Sequence, residues 1–105
     1  MQKVKYKTNK LKKLERERYS ILTTRLKHCF ICNKTPADIH EIYSGGNRKM
    51  SMKNGFCIPL CREHHQFATL DSLFNLQLKC LCQSEYEKKH TREEWLKLVG
   101  KNYLE

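Results

Sequence analysis

Between residues 10 and 26 the apolar positions are Leu11, Leu14, Ile21, Leu22 and Leu26. Their spacing approximates one helical face, with Arg18 breaking the stripe. The stretch Ser20-Ile21-Leu22-Thr23-Thr24 reads equally as a short β-branched strand, so we expect a helix to about Tyr19 and an extended segment after it. Residues 39–43 and 56–60 are apolar runs of strand length. Between them lie the turn signal Gly45-Gly46-Asn47 and a polar stretch, 48–54, that reads as a loop ended by Gly55. Pro59 has no N–H to give a ladder, which limits the second strand to an edge or an end position. A helix is expected from about Arg62. Leu70, Leu73, Phe74, Leu78 and Leu81 then mark the inner side of a helix over about 70–89. Thr91-Arg92-Glu93-Glu94 is a capping-box sequence that opens a last helix through Trp95, Leu96, Leu98 and Val99, with Gly100 placed to end it.

This pattern predicts a small α+β domain over residues 20–105, preceded by an arm and helix over 1–19, with two helices at the C-terminal end. There are no internal repeats. Composition sharpens the picture. Only 39% of the 105 residues are hydrophobic, so the core is thin and an internal staple is expected. Lys and Arg number 21 against 11 Asp and Glu, a formal charge of +10. A domain that basic faces a polyanion, most often nucleic acid. Lys3, Lys5, Lys7, Lys10, Lys12 and Lys13 crowd the first segment, and residues 1–10 are expected to be disordered without a partner. No run has the length of a membrane span. No apolar signal-peptide core precedes the domain either, so a reducing, cytoplasmic setting is expected.

Six cysteines matter in that setting. Cys29-x-x-Cys32 and Cys61-x-x-His64 are two knuckles, each able to chelate one side of a tetrahedral metal, and they read as zinc ligands rather than disulfides. Cys29, Cys32, Cys61 and His64 would form a closed structural site. Cys57 competes for the fourth position, but mid-strand it reads as a small buried hydrophobe. Cys80 and Cys82, two apart on a helix, chelate poorly together and read as core or neutral. His28 and His90 read as surface residues. His65 is left over beside a rigidly held knuckle, a good platform for a second metal. His40 and Glu41 lie in the first strand, and a base working near neutral pH is best supplied by histidine.

In order and spacing, these residues resemble the HNH endonucleases. The shared features are a knuckle, IHEIYSGGNRKMS, a second strand, IPLCREHH opening a helix, and TREEWLKLVGKNYL at the end. More narrowly they are similar to small zinc-stapled HNH-type proteins of bacteriophages and prophages, over about residues 20–104. The resemblance implies a ββα-metal (His-Me finger) core that hydrolyses DNA phosphodiesters, in phage DNA recombination or processing within the host cytoplasm. It implies a histidine base on the first strand, an asparagine in the loop, and one Mg²⁺ or Mn²⁺ ion held by the strand and the helix. Carried onto this chain, these roles fall on His40, Glu41 and Asn47 for catalysis, and on His40, Glu41 and His65 for the divalent ion. Aligned by Ile42, His40 occupies the ligand position and Glu41 the base position. Three alternatives stay open: Glu41 is the base, or His40 is the base and Glu41 a ligand, or the site is weakened. Successive strand residues face opposite sides, so both serve one centre only on a bent strand. Thr69 stands where relatives often have a further histidine. Asp71 is a candidate oxygen ligand in its place, and is equally suited to cap the following helix. Asn47 is preferred over Asn54, whose Asn-Gly pair reads as a turn.

Lys10, Lys12, Lys13, Arg48, Lys49 and Lys53 are the expected DNA contacts. A homodimer would let two centres cut two strands. The competing reading is a non-catalytic zinc-stapled module, an accessory factor or inhibitor that binds DNA or protein. A finger reading the major groove through the helix after Cys61 ranks last, because that helix has few free base-reading side chains.

Overall fold

The computed structural model of the chain describes residues 9–104, apart from the side chains of Lys10 and Leu11. Its elements are α1 (Asn9–Arg16), β1 (Asp38–Glu41), a single 3₁₀ turn (Gly45–Asn47), α2 (Arg48–Asn54), β2 (Cys57–Leu60), α3 (Arg62–Leu70), α4 (Ser72–Tyr86) and α5 (Arg92–Val99). The expected arm residues, with Lys3, Lys5 and Lys7, lie outside the described residues. The N-terminal helix ends at Arg16 rather than near Tyr19.

β1 and β2 pair antiparallel, with Asp38 opposite Leu60, Ile39 opposite Pro59, His40 opposite Ile58 and Glu41 opposite Cys57. Each strand of a two-stranded sheet is an edge, so Pro59 costs nothing at its missing N–H. Its carbonyl is used: it accepts from the Phe30 N–H at 2.7 Å and ties the first knuckle to β2. Every residue of β2 is buried. β2 therefore runs through the centre of the molecule, with α3 packed against both strands.

The polar stretch 48–54 is a helix, not the expected loop. Ser51 and Met52 are buried, and the Ser51 hydroxyl donates to the Tyr43 carbonyl at 2.7 Å. A serine that hydrogen-bonds inward reads as solvent-facing in a hydropathy pattern, which hid this helix. Gly55 ends it at φ 71°, the left-handed conformation open to glycine, and its N–H donates to the Ser51 carbonyl. The helix expected over 70–89 also differs. It starts at Ser72, because Asp71 caps it by accepting from the Phe74 N–H at 2.7 Å, and it ends at Tyr86. Leu78 is buried on its inner side as expected, but Leu70, Leu73 and Leu81 are exposed. The true inner side continues through Cys82 and Gln83.

The thin aliphatic core is completed by aromatics. Phe56 and the fully buried Trp95 lie 5.4 Å apart between ring centres, with Tyr43 5.8 Å from Phe56 and 5.6 Å from Trp95. Their polar ends are satisfied: Trp95 Nε1 donates to the Lys101 carbonyl at 2.8 Å, and the Tyr43 hydroxyl to the Lys79 carbonyl at 2.9 Å. Buried Gln83 accepts from the Tyr103 N–H at 2.7 Å and donates to Asn102 at 2.8 Å, which fastens the C-terminal segment to α4. The last helix has the full capping box from Thr91 and Glu94, and Gly100 closes it at φ 86°.

Candidate functional site

The two knuckles meet at one point. Asn33 takes a left-handed turn at φ 65°, and its N–H donates to the Cys29 carbonyl at 2.8 Å, which folds the first knuckle back on itself. Cys61 stands at the head of α3, so His64 lies one turn along on the same side. The ligand atoms of Cys29, Cys32, Cys61 and His64 all lie within 4.8 Å of one another. Cys32 Sγ is 3.7 Å from Cys61 Sγ, and His64 Nδ1 is 3.2 Å from Cys61 Sγ and 3.5 Å from Cys29 Sγ. Bonds of about 2.3 Å to sulfur and 2.0 Å to nitrogen give tetrahedral edges of about 3.8 Å and 3.5 Å. The donor set and its spacing therefore suit a metal ion such as zinc.

Electrostatics agree. Burial works against the Cys29 thiolate, but backbone donors at Cys61, Cys32 and Ile31 outweigh it and bring its pKa down to about 6. Cys32 is raised above the usual thiol range: a backbone donor at Lys34 favours its anion, but burial and the neighbouring Cys29 and Cys61 oppose it more. Such crowded sulfurs are relieved by a shared cation. The other cysteines stay out. Cys57 is fully buried, donates to the Tyr19 carbonyl at 3.2 Å, and is pushed up to about 11 by burial. Cys82 is core, and Cys80 donates to the Tyr103 carbonyl at 3.1 Å.

A second constellation lies where β1 meets the first turn of α3. The rings of His40 and His65 pack edge to face, 5.3 Å between centres. His40 Nε2 is buried with no partner among the described residues. Burial, and secondarily the nearby His65, hold the His40 pKa down at about 4, so its imidazole is neutral at pH 7. A neutral, unpartnered imidazole nitrogen is what a proton acceptor or a metal ligand needs.

Glu41 addresses a different neighbourhood, as alternation along a strand requires. Its Oε1 is 3.0 Å from Arg18, and its Oε2 is 3.9 Å from Arg48. Arg18, which looked like a mere break in an apolar stripe, is thus a mostly buried partner of a strand carboxylate. Its place on the helical stripe between Leu14 and Ile21 was the available signal. Asp71 caps α4 and sits six residues beyond His65, about 9 Å further along α3. Asn47 stands exposed at the head of α2 with no side-chain cap bond. Asn54 donates to the Met50 carbonyl at 2.8 Å and forms the helix-ending turn with Gly55.

Of the expected DNA contacts, Lys12 and Lys13 on α1 and Arg48, Lys49 and Lys53 on α2 lie on two helices that pack together, and all five are exposed, with the Arg48 guanidinium 3.9 Å from Glu15 and from Glu41. The Lys10 side chain lies outside what is described. His28 is half-buried rather than on the surface, whereas exposed His90 stacks on Tyr86 at 4.2 Å. Among the described residues no helix is long and apolar enough to cross a membrane.

A family model described as "Putative HNHc nuclease" matches residues 3–101. No curated protein and no solved structure matches the chain significantly.

Proposed function

The chain belongs to the HNH nuclease family, and from that premise we propose that it is a metal-dependent DNA endonuclease on a ββα-metal core stapled by zinc at Cys29, Cys32, Cys61 and His64. The observation that carries the reading is the pairing of His40 with His65 beside the staple, with His40 Nε2 buried and unpartnered. His40, neutral at pH 7, takes the proton of the attacking water. His65, one residue past a zinc ligand and fixed by its N–H bond to the Cys61 carbonyl at 2.8 Å, is the imidazole that would hold a Mg²⁺ or Mn²⁺ ion. Such an ion, when bound, stabilises the charge that builds on the phosphorus oxygens and the leaving 3′ oxygen. For Glu41 to join that ion β1 must bend, because its carboxylate faces Arg18 and Arg48. Asn47 orients the base from the head of α2, and Asp71 serves chiefly as a helix cap. Lys12 and Lys13 on α1, with Arg48, Lys49 and Lys53 on α2, contact the DNA backbone. In a phage setting the activity would serve DNA recombination or processing in the host cytoplasm.

A second reading is favoured by the ties on the two carboxylates. With Glu41 on Arg18 and Asp71 on the Phe74 N–H, two histidines are left for the ion, as in a module that binds DNA or protein without cutting it. Nicking of supercoiled plasmid with Mg²⁺, Mn²⁺ or EDTA separates the two readings. Metal-dependent nicking, lost in His40→Ala, supports the nuclease. Weaker Mn²⁺ binding in Glu41→Ala assigns that carboxylate to the ion, since slowed nicking alone would also follow from freeing Arg18. Plasmid bound but left intact in every metal would favour the non-catalytic module.

A further inference from the structure

Tyr19 is exposed and yet held. Its hydroxyl donates to the Lys53 carbonyl at 3.0 Å, and its own carbonyl accepts from the Cys57 thiol at 3.2 Å. The next two residues are pinned as well: the Ser20 hydroxyl donates to the Cys57 carbonyl at 2.6 Å, and the Ile21 N–H to the Gly55 carbonyl at 3.0 Å. One side of the ring lies on Gly55, where a Cβ would come within 2.5 Å of it. The rest stays open, with 48% of the residue exposed. Two clefts meet at this ring. One, of about 410 Å³, runs between residues 19–21 and the end of α4, and Lys88, Lys89 and the stacked pair of Tyr86 and His90 line it. The other, of about 340 Å³, is lined by Lys13 of α1 and by Met52 and Lys53 of α2. Each also holds one carboxylate, Glu85 in the first and Glu17 in the second. Lys88 answers Glu85 at 2.7 Å. That leaves Lys89 in one cleft, and Lys13 and Lys53 against Glu17 in the other, a positive balance on both sides of the ring.

An aromatic face fixed between cations fits one ligand chemistry, a nucleobase with a phosphate on either side. An acidic peptide would engage the lysines without needing the ring. Bases in a duplex turn their faces to one another and offer only edges and backbone, so the base that reaches Tyr19 is an unpaired one. A mobile side chain loses rotamer freedom when it stacks, whereas this ring has lost it on folding. The ring is also tied to the candidate centre, because Arg18, the residue before it, holds Glu41 of β1 at 3.0 Å. We propose that Tyr19 is a stacking platform for an unpaired base of the DNA, with the adjoining phosphates on Lys53 and Lys89, and that the chain therefore selects DNA with a single-stranded stretch. The proposal rests on the DNA binding of the reading above, which the nuclease and the non-catalytic module share.

Fluorescence anisotropy of the zinc-loaded full chain, without Mg²⁺ or Mn²⁺, tests this. The probes are labelled strands of about 15 nucleotides: single-stranded DNA, its duplex, and RNA of the same sequence, which offers the same unpaired bases. Tyr19→Leu, which still covers Gly55, is expected to weaken the single strand about tenfold and the duplex less than about twofold. Tyr19→Phe keeps the ring and loses the hydroxyl, and is expected to retain single-strand affinity. Lys89→Ala is expected to weaken the single strand more than the duplex. Trp95 emission reports whether each variant is folded. A crosslink needs no variant: 5-iododeoxyuridine in the single strand is expected to join the wild type at Tyr19. Equal losses on single strand and duplex in Tyr19→Leu would overturn the proposal. So would adducts only at residues other than Tyr19, tighter binding of the RNA than of the DNA, or no binding of the single strand. Plasmid nicking with Mg²⁺ is read separately. Intact plasmid together with selective single-strand binding would end the nuclease reading and support this one.

Discussion

His40 and Glu41 are adjacent in sequence yet serve different neighbourhoods, one against His65 and one on Arg18. Both were legible as candidates, but their division of labour was not, because one strand residue faces away from the next and the identity of each facing partner is set by remote chain. Other single residues carry sharp expectations. Gly55 holds φ 71°, and a Cβ there would come within 2.5 Å of the Tyr19 ring. Gly55→Ala is therefore expected to cost about 2–3 kcal/mol by urea unfolding, from strain plus a displaced ring. Gly100→Ala, at φ 86° with open space around it, should show only the backbone strain, about 1 kcal/mol. Equal losses at the two positions would deny that Tyr19 is packed against Gly55. Cys57, spent on the Tyr19 carbonyl, is expected to be dispensable for metal. Cys57→Ala should keep the zinc content of the wild type, and a fall in bound zinc would return it to the ligand set.

At the scale of elements, the capping chemistry reads directly from local sequence. The Thr91–Glu94 box needs only residues three apart, and it forms as written. Thr91→Ala should lower stability by about 1 kcal/mol, seen as a shift in urea midpoint without a change in slope. The helix over 48–54 was illegible for the opposite reason. Its inward residues include a serine whose burial depends on the Tyr43 carbonyl, supplied from outside the window. The helix over 72–86 was half legible. Leu70, Leu73 and Leu81 are apolar at helical spacing and yet face solvent, which a pattern cannot distinguish from a core stripe. The knuckles are the most legible elements of all, since ligand types two or three residues apart meet a metal with little help from the fold.

For the whole molecule, the metal staple and the aromatic core should stand or fall together. Trp95 is the single tryptophan and is fully buried, so its emission reports global folding. Removing zinc with a strong chelator, or making Cys29→Ser or Cys61→Ser, is expected to shift that emission to the red and abolish the cooperative melt. A zinc-free protein with unshifted Trp95 emission would show that the core holds without the staple. The charge of +10 predicts a polyelectrolyte response. Deleting residues 1–13, which removes Lys3, Lys5, Lys7, Lys10, Lys12 and Lys13, should weaken DNA binding across sequences and flatten its dependence on salt. The log–log slope should fall by about 0.9 for each phosphate that is no longer neutralised. An unchanged salt slope would take the arm out of the interface.

What the chain determines by itself is whatever is local or additive: the paired knuckles, the capping box, the turn at Asn54-Gly55, the order of the two strands and the helices after them, and the excess of positive charge. Each depends on residues a few positions apart or on a sum over all of them. Tertiary structure alone decided that His40 meets His65, that Arg18 holds Glu41, that Ser51 and Gln83 are interior, and that Leu70, Leu73 and Leu81 are left outside. Those outcomes depend on which remote surface each side chain meets, and a serine or a leucine carries no mark of its partner until the strands and helices are packed.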